Sequence, residues 1–384
     1  MNFSFYSAGQ IIFGRGSFSK IGEISAALGK HALVVLGTGS LRRIGVLNSL
    51  ESYLRKGGVA WTNYEGINKE PDIPVVEDGV QRAKEAGCDM VIAIGGGSVL
   101  DTGKAIAALV PNPGNLGDYL GIEKPAKTLP KPALPWIAVP TTAGTGSEVT
   151  NNAVISLTET GVKKSFRSPY LLARVALVDA ELGLRVSPQQ TALSGMDALS
   201  QLIESYVTRF HQPMTDAMAL EGIRHSGEYL LRAFRNGNDG EARDHTFLAS
   251  LLSGLALSNS RLGAVHGLAA VFGGRYSIPH GLVCAVSLPY VMETNLYAAV
   301  ERYGAIGEAL TGKRWNSMRE AAEAGLNYVK MLIHELNIPK TFQKYQILED
   351  DIPLLVNGSR GNSMSGNPVE LSDEQITGLI ERMI

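Results

Sequence analysis

Through the first half of the chain, short runs of consecutive apolar residues alternate with stretches in which apolar positions recur every three or four residues. Residues 32–36 (Ala-Leu-Val-Val-Leu) read as a buried strand, and the spacing that follows predicts an amphipathic helix over about 40–55. The pattern repeats as a strand over 59–64, a helix over 75–86, a strand over 90–94, a helix over 98–109 and a strand over 136–139. Strands that are apolar at every position, interleaved with helices, predict a mostly parallel sheet covered on both faces. From about Ser187 the period changes. Helical patterns over 195–208, 214–235, 242–258, 296–310, 317–336 and 373–383 predict a nearly all-helical second half, with Gly183 and Pro188 at the switch. The expected organisation is an α/β domain over 1–183 and an all-α domain over 184–384, sizes that suit two ordinary cores in 384 residues.

Charge narrows the partners. The formal net charge is -2 and no run of Lys or Arg stands out, which argues against a nucleic-acid partner. Two cysteines, Cys88 and Cys284, do not make a disulfide framework and fit a reducing compartment. The first residues lack a basic stretch followed by an apolar one, and no apolar run reaches the roughly 20 residues needed to span a bilayer. A cytoplasmic protein with no membrane partner is the expectation.

Three glycine-rich segments fall at strand ends. Gly95-Gly96-Gly97-Ser98 follows one strand and opens a helix, where backbone N–H groups and the helix dipole favour a diphosphate. A P-loop does not fit, because Gly103-Lys104 is followed by Ala105. Thr141, Thr142 and Ser147 belong to Pro140-Thr-Thr-Ala-Gly-Thr-Gly-Ser-Glu148, a loop dense in hydroxyls that suits the far wall of a nucleotide site. The third segment, Gly37-Thr38-Gly39-Ser40 followed by Arg42 and Arg43, has no carboxylate to hold a ribose 2′-hydroxyl. It reads either as room for a 2′-phosphate or as a glycine loop with solvated arginines.

Further on lie one carboxylate and two imidazoles. Asp197 sits in Gly195-Met-Asp-Ala198, His266 and His280 flank a short Gly-rich stretch, and Gln201 stands four residues after Asp197, on the same helical face. Aspartate with two histidines is a plausible ligand set for a catalytic divalent ion. Cys284, four residues after His280, reads as a small core residue. Arg275 reads either as a partner for an anionic substrate group or as a solvated surface cation.

The triple-glycine turn, the Pro-Thr-Thr-x-Gly-Thr-Gly-Ser-Glu loop, Gly-Met-Asp-Ala and Pro279-His280-Gly281 stand in an order and spacing that resemble the iron-containing (group III) alcohol dehydrogenases, nearly to the chain's end at Gly366-Asn-Pro368. The resemblance implies the dehydroquinate synthase-like fold and an NAD(P)-dependent alcohol dehydrogenase or aldehyde reductase. Nicotinamide and metal would meet in a cleft. It implies Gly37, Ser40, Gly95, Gly96, Gly97, Ser98, Thr141, Thr142, Ser147 and Lys163 (or Lys164) as cofactor residues, and Asp197, Gln201, His266 and His280 as metal positions. His280 and His266 would be catalytic, and Ser363 would border the substrate pocket. The chain departs from the family at two points: Gln201 stands where a histidine ligand is usual, and Ala270 where many members carry another histidine.

The Gln201 amide oxygen is neutral and suits hard cations better than zinc or iron, so metal affinity is expected to be reduced. Either Fe or Zn is retained and polarises the substrate oxygen, or the histidines only hydrogen-bond and one supplies the proton, as in the metal-free maleylacetate reductases. The Gly37 segment resembles the NADP-preferring branch, so NADP or NAD is the expected cofactor, with NADPH used at least as well as NADH. A lyase or cyclase of the dehydroquinate synthase type, or a nucleotide-binding protein without turnover, are the competing classes. The resemblance also implies a homodimer in which Ile11-Ile-Phe-Gly14 pairs as an edge strand.

Overall fold

A computed structural model describes residues 2–68, 70–122, 124–157 and 162–384. The chain separates into two units, Tyr6–Thr142 with Ser147–Gly183, and Leu184–Ile384 with Ala143–Gly146 and the chain's first residues.

The first unit is built on a six-stranded sheet of β1 (Ile11–Phe13), β2 (His31–Gly37), β3 (Ala60–Ile67), β4 (Met90–Gly95), β5 (Trp136–Pro140) and β8 (Val175–Val178), in the order β1-β8-β5-β4-β2-β3. Every pairing is parallel. Strands β4 and β5 are buried at every position and β2 at its five central ones, because helices cover both faces. From β2 the chain moves outward to β3 and then returns to β2's other side as β4. That reversal opens a crevice at the carboxyl ends of β2 and β4, the place where open α/β sheets bind nucleotides.

Several expectations shift. The helix expected over 40–55 is two, Ser40–Arg43 and Val46–Lys56, broken by Gly45 at a left-handed φ of 81°. The Ser40 side chain lies outside what the structure describes. Strands β6 (Asn152–Leu157) and β7 (Val162–Arg167), unforeseen in the sequence, pair antiparallel as a separate ribbon. The expected edge strand β1 pairs in parallel with β8 of its own sheet.

The second unit is helical among its described residues. Its helices begin where the side chains allow: Ser187 accepts from the Gln190 N–H with Pro188 in the first turn, and Ser317 and Ser372 cap two later starts. The helix expected over 296–310 is a short 3-10 turn, Leu296–Ala298, followed by Val300–Thr311. The Gly-rich stretch around His266 and His280 forms two helices, Ala264–Tyr276 and His280–Asn295. No helix among the described residues is long and apolar enough to cross a membrane.

Candidate active site

The glycine turn and the hydroxyl loop meet at the sheet's switch point. Gly95 ends β4, and Gly96 precedes the Gly97–Leu109 helix with no side chain capping that start, which leaves its first N–H groups for an anion. The Thr141 N–H donates to the Gly95 carbonyl at 2.9 Å. A Cβ on Gly96 would come within 3.2 Å of Thr142 Oγ1, and one on Gly95 within 2.6 Å of Val99. Gly95 is glycine because the helix packs onto it, and Gly96 because the loop closes over it. Open N–H groups at such a helix start suit an anion. Ser98 lies in the first turn of the same helix.

Ser147 faces inward. Its hydroxyl donates to Asp101 Oδ1 at 2.5 Å and accepts from Lys104 Nζ at 3.0 Å. Lys104, fully buried, also donates to Thr150 Oγ1 at 2.8 Å and to the Asn152 carbonyl at 2.6 Å. Asp101 Oδ2 accepts the Val154 N–H. Ser147 is thus a strut that ties the loop to the helix, a role the sequence did not reveal. Lys163 pairs with Glu70 Oε1 at 2.6 Å and Lys164 donates to the Leu120 and Gly121 carbonyls, so both ammonium groups already have partners.

Burial pushes the neighbouring Glu148 carboxyl up to about 7, against the pull of a backbone N–H and Lys104. A raised carboxyl stabilises the fold below the ordinary carboxylate range, and that contribution is lost as pH climbs through 7. Glu148→Gln carries no such titration. Relative to the wild type it is expected to gain about 2–3 kcal/mol between pH 5 and pH 8, measured by urea unfolding at both values. Equal differences at the two pH values would contradict the assignment.

At the end of β2, Gly37, Gly39, Leu41, Arg42 and Glu65 line a small pocket, and Arg42 Nη2 donates to Glu65 Oε1 at 2.7 Å. The sequence reading found no carboxylate at this point. The structure supplies one from β3, a strand later in the chain, and it neutralises one of the two arginines.

The helical unit gathers the metal-type donors. Asp197, Gln201 and Glu204 ride on the Pro188–Val207 helix, spaced to share one face. Asp197 Oδ1 lies 3.4 Å from His266 Nε2 and 3.5 Å from His280 Nε2. Glu204 was missed in the sequence. Its Oε2 is 2.6 Å from His266 Nδ1, and its Oε1 accepts the Val265 N–H at 2.7 Å. Gly263 admits this carboxylate, since a Cβ there would stand 2.8 Å from Oε1. A carboxylate on Nδ1 fixes the ring and turns Nε2 toward Asp197, the arrangement expected behind a metal-binding histidine.

Gln201 does not present its oxygen to this group. Its Oε1 accepts from Ser253 Oγ at 2.7 Å while its Nε2 donates to Asp197 Oδ1 at 3.1 Å. In this arrangement the Gln201 amide N–H faces the Asp197 carboxylate and its oxygen faces Ser253. The group that joins Asp197, His266 and His280 is Cys284, with ligand atoms of all four within 4.8 Å of one another. Asp197, His266 and Cys284 are buried, and the His280 side chain is 34% exposed. Burial alone would raise the Asp197 carboxyl, but His280 and His266 hold it well below the usual range. Burial disfavours a charged His280, and Cys284 and Asp197 overcome this to lift it to about 10.

Arg275 is held by Asp351 at 2.8 Å on an exposed face, so its solvated reading prevails. Ala270 is exposed one turn past His266. Ser363 precedes the Met364–Gly366 turn, and Asn367 just beyond accepts the Ala264 N–H, bracing the start of the His266 helix.

Two family models match the chain: iron-containing alcohol dehydrogenase over residues 8–180, and the C-terminal part of the Fe-containing alcohol dehydrogenase family over 191–384. The sulfoacetaldehyde reductase of Bilophila wadsworthia is 32% identical across 99% of both chains. The 1,3-propanediol dehydrogenase of Klebsiella pneumoniae is 36% identical across 96% of both. A crystal structure of a 1,3-propanediol oxidoreductase superposes with a TM-score of 0.95 over the whole of both chains at 34% identity.

Proposed function

Because this chain belongs to the iron-containing alcohol dehydrogenase family, we propose that its two units divide the work of an NAD(P)-dependent alcohol dehydrogenase or aldehyde reductase. The α/β unit, Tyr6–Thr142 with Ser147–Gly183, holds the dinucleotide, and the helical unit built on Leu184–Ile384 holds the substrate oxygen. The observation that carries this division is the donor group Asp197, His266 and His280, backed by Glu204, in one unit while the glycine turn and hydroxyl loop stand at the switch point of the other.

A bound nicotinamide cofactor supplies the hydride donor or acceptor, and a divalent ion on Asp197, His266 and His280 supplies Lewis acidity toward the substrate oxygen. Gly95, Gly96, Gly97 and Ser98 bind the diphosphate through backbone N–H groups, with Thr141 and Thr142 closing over it. Glu204 locks His266. His280, the partly exposed member of the group, grips the ion when one is bound and otherwise moves the proton that accompanies the hydride. NADH or NADPH oxidation over a panel of short aldehydes, with elemental analysis of the same preparation, tests the reading; no turnover on any aldehyde would overturn it.

Gly37, the Ser40 turn and Arg42 suit a 2′-phosphate, with Glu65 tethering Arg42 until phosphate competes for it. Charge-assisted pairing to phosphate is strong and directional. Glu65→Gln is expected to raise the NADPH-over-NADH ratio of kcat/KM about tenfold, and Arg42→Ala to lower it by a similar factor. Shifts of opposite sign would assign the pocket to a ribose hydroxyl.

The protein is further proposed to be a cytoplasmic homodimer. Both cysteines are free thiols, and β1 lies at the sheet's end with Phe13 exposed beside it. Light scattering on the eluting protein tests the dimer.

A further inference from the structure

We propose that Cys284 is the fourth protein ligand of the metal, so that the centre is Asp197, His266, His280 and a Cys284 thiolate. The inference rests on the reading that an ion binds at Asp197 and the two histidines.

Four facts meet here. Cys284 lies one turn after His280 on the His280–Asn295 helix, so both side chains leave the same face. Its Sγ stands 3.8 Å from His266 Nε2 and 3.7 Å from His280 Nε2, while Asp197 Oδ1 stands 3.4 and 3.5 Å from the same two nitrogens. A tetrahedral ion with ordinary bonds to sulfur, nitrogen and oxygen has ligand atoms roughly 3.3–3.6 Å apart. The two oxygen edges are of that length, and the two sulfur edges, at 3.7 and 3.8 Å, are longer, in the direction of the longer metal–sulfur bond. Gln201, the position where the family's usual ligand is absent, has its oxygen held by Ser253 and its N–H on Asp197. The amide N–H that faces Asp197 holds that carboxylate. Ser253 and Asp197 therefore favour Gln201 as a second-layer support of the aspartate.

Binding in this mode displaces the thiol proton to solvent and forms a metal–sulfur bond. A thiolate with a carboxylate neutralises a divalent charge and favours zinc or cobalt(II) over iron(II), compared with a shell of nitrogen and oxygen alone. The protein purified from cells is expected to carry zinc in preference to iron.

The test is cobalt(II) loading of the full-length, metal-depleted protein, followed by absorption spectroscopy and elemental analysis. A near-ultraviolet sulfur-to-cobalt charge-transfer band is expected in the wild type. It should vanish in Cys284→Ser, which keeps the side chain's size, and in Cys284→Ala. Metal affinity should fall about a thousandfold in Cys284→Ala and about tenfold in Gln201→Ala, the low end of what a second-layer partner costs. Retained cofactor binding, read by nucleotide fluorescence, shows that each variant is folded. Cobalt taken up without a charge-transfer band overturns the thiolate ligand and leaves the Asp-His-His reading standing. Failure of the wild type to take up cobalt overturns both. Loss of metal from Gln201→Ala with retention in Cys284→Ala overturns the assignment in favour of the glutamine.

Discussion

Replacing His280 with alanine is expected to lower kcat/KM about a thousandfold on any alcohol or aldehyde the enzyme turns over, the range a positioned acid–base group supplies. His280 is part of the Asp197 group, yet its side chain is 34% exposed where His266 and Asp197 are buried. Its environment favours the protonated ring: burial opposes the charge, but Cys284 and Asp197 outweigh it and raise the group to about 10. The residue serves whether it grips an ion or passes a proton to the substrate oxygen, so its loss removes either contribution. The proposed dinucleotide residues lie in the α/β unit, and NADH or NADPH affinity should be unchanged in the variant. Wild-type turnover in His280→Ala on a confirmed substrate would mean that the reaction does not pass through this group at all.

Lys104→Met is expected to be among the most destabilising single changes in the α/β unit. The ammonium is fully buried and donates to Ser147 Oγ, Thr150 Oγ1 and the Asn152 carbonyl, with Asp101 at 3.4 Å. Burial lowers its affinity for a proton, while Asp101 and Glu148 raise it. Removing one partner of such a network leaves the others desolvated and unpaired, at a cost of about 3–5 kcal/mol. For a domain of this size that corresponds to a fall in Tm of roughly 10 °C, read by calorimetry. The same network ties Ser147 to the Gly97–Leu109 helix, so dinucleotide affinity should fall with it. A Tm within about 2 °C of the wild type would show that the neighbours re-pair with water.

Much of this was legible in the chain. The fully apolar strands β2, β4 and β5 announce a sheet covered on both faces, because one-sided sheets alternate. The helical half follows from its period and its caps at Ser187, Ser317 and Ser372. Gly45 was visible too, but a glycine inside an amphipathic pattern does not declare whether it bends or breaks the helix; its left-handed φ decides that. The β6–β7 ribbon escaped notice because its half-exposed residues, Lys163 and Lys164 among them, carry no strong apolar period.

By itself the sequence determined the two-part architecture, the glycine turn between β4 and its helix, and Asp197, His266 and His280 as candidate donors, since each rests on local spacing or on a motif contiguous in the chain. Only tertiary structure decided which groups share a pocket. Glu65 reaches Arg42 from another strand, Glu204 reaches His266 across helices, and Ser147 turns inward to Lys104. The fourth member of the donor cluster came into view in the same way. Gln201 carries its amide toward Ser253 and Asp197, and Cys284, legible only as a small apolar residue, comes to the two imidazoles. A side chain's partner depends on the packing of elements far apart in sequence, and periodicity records only which face is buried, not what that face meets.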